Sequence, residues 1–126
     1  MKKKLPSFFE KYAAEYDQMT ESNAREPKHR IEVERLVGRF RPGSVLDAGC
    51  GTGLTSRLFA EKGIAVTGID MSADMVRLAA ESQRQAGLDG EFHTTSFESM
   101  PKSFERRFDL VVCLANSISG VATDRL

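Results

Sequence analysis

One nine-residue stretch constrains this chain more than any other: Val45-Leu46-Asp47-Ala48-Gly49-Cys50-Gly51-Thr52-Gly53. A short apolar run of strand character delivers an acid and then three alternate glycines, and Leu54 opens a helical pattern that continues to about Lys62. A strand that enters a helix through glycines makes a bend without large side chains. A ligand can therefore approach its backbone closely.

The rest of the chain follows the same alternation. Ser7 and Glu10 have capping-box spacing, and Leu5, Phe8, Phe9, Tyr12 and Tyr16 recur at helical intervals, so a helix is predicted from about residue 7 to 18. Val33, Leu36, Val37 and Phe40 predict another, which stops at Arg41-Pro42-Gly43. After the glycine bend and its helix, Gly63 and the run Ile64 to Ile69 read as a second strand. Ser72 can cap a helix with Asp74 in its first turn and Val76, Ala79 and Ala80 on one face, and Gly87 supplies a left-handed stop. Glu91 to Thr94 is a weaker third strand. Phe108 and Leu110 to Leu114 form a fourth, nearly continuous in apolar residues as a parallel strand covered on both faces should be. This order predicts an α/β doubly wound parallel sheet of about four strands, preceded by N-terminal helices.

The 126 residues suffice for one domain, taken as 1–126 with an N-terminal helical segment 1–41. Eighteen Lys and Arg balance eighteen Asp and Glu, so no long-range field gathers nucleic acid or an anionic membrane. No apolar run approaches the ~20 residues that cross a bilayer, and Lys2-Lys3-Lys4 leads into Leu5-Pro6-Ser7 rather than an apolar stretch. Cys50 and Cys113 lack metal-ligand spacing and read as free thiols, which makes the cytoplasm the expected location.

The ligand class follows from charge. A dinucleotide fingerprint G-x-G-x-x-G counted from Gly49 would need its third glycine where Leu54 stands. Asp47 also precedes the bend where a pyrophosphate would lie, and a carboxylate about 6 Å from a phosphate is repelled by roughly 2 to 3 kcal/mol at an effective dielectric near 20. A cationic ligand reverses that sign. Asp70, ending the second strand, is placed to accept from the two hydroxyls of a ribose.

With these residues in place, Asp47 to Gly53 resembles the first motif of the class I S-adenosylmethionine-dependent methyltransferases, and Gly68-Ile69-Asp70-Met71-Ser72 resembles their second. The resemblance implies a Rossmann-like sheet and S-adenosyl-L-methionine as cofactor. It puts the sulfonium and ammonium groups beside Asp47, Gly49, Cys50, Gly51 and Gly53, the ribose on Asp70 and the adenine against Met71. Ser96-Phe97-Glu98-Ser99-Met100-Pro101 is similar to the segment after the third strand that faces the adenine, with Ser96 standing where the family often has Asp. Asp109 to Ser117 is similar to small-molecule N-methyltransferases of the glycine and sarcosine type. That likeness implies a cofactor contact from Leu114 and a carboxylate contact from Arg25. Family members run on through a fifth strand and usually two more, whereas this sequence ends about a dozen residues after the fourth. The expectation is a C-terminally truncated domain whose exposed fourth-strand edge, Val111 to Leu114, pairs with another copy in a homo-oligomer.

The implied reaction is methyl transfer to a small-molecule acceptor. In-line displacement depends on positioning and water exclusion rather than acid-base chemistry, so no catalytic residue and no metal are assigned. No Asn-Pro-Pro-aromatic or Asp-Pro-Pro-aromatic sequence follows the fourth strand, which with the charge balance argues against nucleic acid as substrate. The alternative is a non-catalytic S-adenosylmethionine-binding module lacking the substrate-binding half. Structural roles stand beside the functional ones: Asp70 as a helix cap, Asp47 as a brace for the bend, Arg25 as a solvated charge, and Tyr12 and Tyr16 as packing. His29 and His93 have no metal-ligand partners at suitable spacing. Cys50 approaches a helix N-terminus, which can lower a thiol pKa, yet no base is at hand to make it a nucleophile.

Overall fold

The computed structural model describes residues 26–113 and, as backbone, 120–123. The helix expected over residues 7–18, Arg25 and Leu114 lie outside the described residues. Chain order is α1 (Glu26–Phe40), β1 (Ser44–Ala48), α2 (Leu54–Ala60), β2 (Ala65–Asp70), α3 (Ala73–Gln85), β3 (Glu91–Thr94), a 3-10 turn (Lys102–Phe104), β4 (Leu110–Cys113) and β5 (Gly120–Thr123).

The sheet order is β3-β2-β1-β4-β5. The first four of these strands are mutually parallel, with Asp47 of β1 opposite Gly68 of β2 and Val112 of β4. The chain builds outward from β1 through β2 to β3 and then returns to β1's other side as β4. The switch point between β1 and β4 is where doubly wound sheets open a crevice at the carboxyl ends of their strands. The bend that follows β1 lies there.

Strand alternation sends side chains to two faces. Val45, Val66, Leu110 and Val112 pack beneath the helices against Val33 and Leu36 of α1 and Leu54, Leu58 and Phe59 of α2. Leu46, Ala48, Ile69 and Val111 form the other face with Phe104 and Phe108. Burying a side chain such as Phe59 or Leu58 contributes about 1.5 to 3 kcal/mol each, so this layering fixes the register that carries Asp47 and Asp70 to one end of the sheet.

Local signals worked as expected on α3. The Ser72 hydroxyl accepts from the Met75 N–H at 3.2 Å. At the other end Gly87, with φ 76°, donates to the Arg84 carbonyl while Leu88 donates to that of Gln83, the paired closure of a Schellman motif. Asp109, the one polar break in the fourth-strand run, is a clasp: its Oδ2 accepts from the Gly43 N–H at 2.7 Å and the Ser44 N–H at 3.3 Å, fixing the start of β1.

Three boundaries differ from the sequence reading. α1 begins at Glu26, well before Val33, because its first turns carry Glu26, Lys28, His29 and Arg30 and show no apolar stripe. The second difference corrects the topology, since the sheet has five strands rather than four. β5 pairs antiparallel with β4, Val111 lying opposite Ala122. The third follows from the second. Val111 to Cys113 are not at a sheet edge, so the expected pairing of copies through an exposed fourth strand is not available; β5 occupies that edge, and β3 and β5 are the outer strands.

Candidate functional site

The bend after β1 is shaped by three left-handed glycines, Gly49, Gly51 and Gly53, with φ of 75°, 57° and 97°. Its first turn is held by the neighbouring strand, because the Gly49 and Cys50 N–H groups both donate to the Ile69 carbonyl at 2.8 Å. Gly53 is the N-cap of α2, and a Cβ there would lie 2.9 Å from the Ala79 Cβ and 3.0 Å from its Cα. That glycine lets α2 and α3 meet. Gly51 is different: no atom lies within 4 Å of where its Cβ would be, so this backbone faces open space.

Asp70 ties the bend to the next loop. Its Oδ2 accepts from the Gly51 N–H at 2.9 Å and its Oδ1 from the Ser72 N–H at 3.0 Å. The expected helix-cap role is therefore shared with a brace across the bend. An ionised carboxylate offers about four acceptor positions, so each oxygen retains one for a ligand hydroxyl. The Thr95 N–H donates to the Asp70 carbonyl at 3.0 Å, which brings the segment after β3 to the same end of the sheet. There Met71 is 76% exposed and Phe97 48%, unusual for apolar side chains of this size. Ser96 is turned inward on its own loop, its hydroxyl accepting from the Ser99 N–H at 3.1 Å.

Asp47 departs from its expected place. It is 0% exposed, beneath the bend rather than lining its open side. Its Oδ2 accepts from the Ser56 hydroxyl of α2 at 2.7 Å, and its Oδ1 is buried without a hydrogen-bond partner. Burial raises its pKa from 3.8 to about 7; the Ser56 hydroxyl and backbone N–H pull it down, and the Asp70 charge pushes it up. It does not bond the N–H groups of the bend, and any effect on a ligand passes through its field. Ser56, 0% exposed, escaped the sequence reading because only the folded turn brings position 56 back under position 47.

Cys50 is also buried, and its side chain packs against the backbone of Gly68. Burial first, then the charges of Asp47 and Asp70, push its thiol pKa well up, which overturns the lowering expected of a helix N-terminus. It offers a ligand backbone only. His29 Nδ1 lies 3.0 Å from the Thr55 hydroxyl, linking α1 to α2, and His93 pairs with Glu91 at 2.7 Å. Among the described residues no group of three His, Cys, Asp or Glu side chains could hold a metal ion, and no helix is long and apolar enough to cross a membrane. The fold thus brings together Gly49, Cys50, Gly51, Gly53, Asp70, Met71, Ser96 and Phe97, with Asp47 below them.

Comparison with known proteins agrees with this geometry. Residues 45–125 match the family described as a methyltransferase domain, and the chain belongs to that family. A ubiquinone biosynthesis O-methyltransferase of Pseudomonas entomophila is 39% identical over 70 residues, which make up 56% of this chain and 30% of that protein. The crystal structure of the PH0226 protein from Pyrococcus horikoshii is similar at a TM-score of 0.63 and 33% identity, covering 80% of this chain and 46% of that one. Magnesium protoporphyrin IX methyltransferase from Synechocystis, solved with bound S-adenosylmethionine, is similar at 0.55 and 29%, covering 68% of this chain and 43% of that one. The chain spans less than half the length of each. The likeness to glycine and sarcosine enzymes finds no support in these matches.

Proposed function

We propose that this domain binds S-adenosyl-L-methionine and takes part in methyl transfer to a small-molecule acceptor. The observation that carries the reading is the bend itself: Gly51 presents open backbone in a left-handed turn, and its N–H is held by an aspartate that keeps acceptor positions for a ribose. Met71 and Phe97 offer apolar surface for an adenine, and their exposure is otherwise unexplained. Bound there, the cofactor supplies an electrophilic methyl group on a sulfonium. The chain's own part is to orient the nucleoside through Asp70, approach it with the backbone of Gly49 to Gly53, and place negative charge below it on Asp47. Arg25 and Leu114 belong to the same reading as further cofactor contacts.

The ubiquinone relatives favour an oxygen nucleophile on the acceptor over the amino nitrogen of a glycine-type substrate. Two free thiols support a cytoplasmic setting, and the even charge balance supports an acceptor other than nucleic acid.

Titration calorimetry with S-adenosylmethionine, S-adenosylhomocysteine and NAD tests this. Affinity for the first two and none for NAD is expected. Asp70→Ala should weaken the nucleoside ligands by about 1.5 to 3 kcal/mol, the scale of a charge-assisted hydrogen bond. Binding of NAD alone, or an unchanged affinity in the variant, would remove the assignment. Radiolabelled methyl incorporation into small-molecule extract then separates turnover from binding.

A further inference from the structure

We propose that Ser56 is a positioning residue, holding the Asp47 carboxylate beneath the glycine bend as the counter-charge by which this site tells a cationic cofactor from its neutral thioether product. The inference rests on the function proposed above. Both side chains are 0% exposed and 2.7 Å apart. A carboxylate serving only to brace the bend would have both oxygens bonded to it, yet Oδ1 is buried and accepts from nothing. A half-satisfied buried acid costs stability.

Nothing on the elements packed around Asp47 offsets that cost with positive charge. Asp70 from β2, and Cys50 from the bend, are acids whose interaction with it is unfavourable. Cys113 from β4 is likewise pushed up, by burial and then by Asp47. From α2 comes the neutral hydroxyl of Ser56. A positive group must therefore arrive with a ligand.

Without one, burial and Asp70 keep Asp47 protonated up to about pH 7. A sulfonium above the bend favours the charged form. Its arrival breaks the Asp47 O–H bond and sends the proton to solvent, with no other bond changed. The thioether left after methyl transfer carries no such charge, so Asp47 takes a proton back. The Ser56 hydroxyl donates to the carboxylate and lowers the cost of charging it. Loss of that hydroxyl leaves the proton more firmly held.

The test is calorimetry of S-adenosylmethionine and S-adenosylhomocysteine binding from pH 5.5 to 7.5, below the range where an α-amino group itself titrates, in two buffers of different ionisation enthalpy. In the wild type the preference for the sulfonium ligand should rise several-fold with pH, with proton release on binding it and little on binding the thioether. Ser56→Ala should weaken the sulfonium ligand about tenfold at pH 7, leave the thioether nearly unchanged and move the rise to higher pH. Ser56→Thr should restore the profile, and Asp47→Asn should flatten it. A wild-type preference independent of pH, or Ser56→Ala weakening both ligands equally, overturns the proposal. If Ser56→Ala does not fold, the wild type and Asp47→Asn decide. Failure of the wild type to bind either ligand would instead remove the function reading itself.

Discussion

Replacing Asp47 by Asn should make the ligand-free domain more stable in alkaline solution and leave it almost unchanged in acid. The side chain is fully buried and its pKa stands at about 7 against an ordinary 3.8. The folded state therefore holds a proton that the unfolded chain has already shed. Stability falls as pH rises between those two values and is level above the upper one. At 1.36 kcal/mol per pH unit the full cost of the charged carboxylate is about 4 kcal/mol, of which about 3 falls between pH 5 and pH 7. Asn has the same shape, keeps an acceptor for the Ser56 hydroxyl and does not ionise. Urea unfolding followed by circular dichroism at pH 5 and pH 8 gives the comparison. The variant's advantage over the wild type should widen by about 3 kcal/mol at the higher pH. Contributions from Glu91, His93 and the other titrating groups cancel in the difference. Parallel pH profiles for the two proteins would mean that Asp47 is not the buried, proton-holding group described above.

Two substitutions probe the elements that frame the site. Gly53→Ala places a Cβ 2.9 Å from that of Ala79 at a φ of 97°, and left-handed strain with overpacking should cost about 2 to 4 kcal/mol in thermal or urea unfolding; a loss under 0.5 kcal/mol would show that α2 and α3 can part freely. Ser72→Ala removes the acceptor for the Met75 N–H and should cost about 1 kcal/mol, with Ser72→Asp recovering most of it.

Much of this architecture can be read from the residues, and the reasons differ by element. β1, β2 and β4 are legible because strands buried on both faces are written as apolar runs, and α3 because Ser72 and Gly87 mark its two ends. β5 is not, since four residues, Gly120 to Thr123, with Val121 and Ala122 as their only apolar pair, carry no periodicity. Its antiparallel partnership is a tertiary outcome. The first turns of α1 are hidden for the opposite reason, because Glu26 to Ile31 face largely away from the core and Ile31 is 58% exposed. At the site, residue types were legible and depth was not. The glycines and Asp70 announce a ligand loop by spacing alone. That Asp47 is sealed under the bend, that Ser56 is its partner, and that Asp70 already spends one acceptor position per oxygen on backbone N–H groups all depend on contacts between distant positions.

The joint between Gly53 and Ala79, together with the Asp70 bridge to Gly51, makes the turn after β1 and the turn after β2 a single mechanical piece. A guest that touches both turns meets walls already set in their final spacing. Little ordering entropy is left to lose on capture, so residence on this platform should be governed by departure of the guest rather than by refolding of the host.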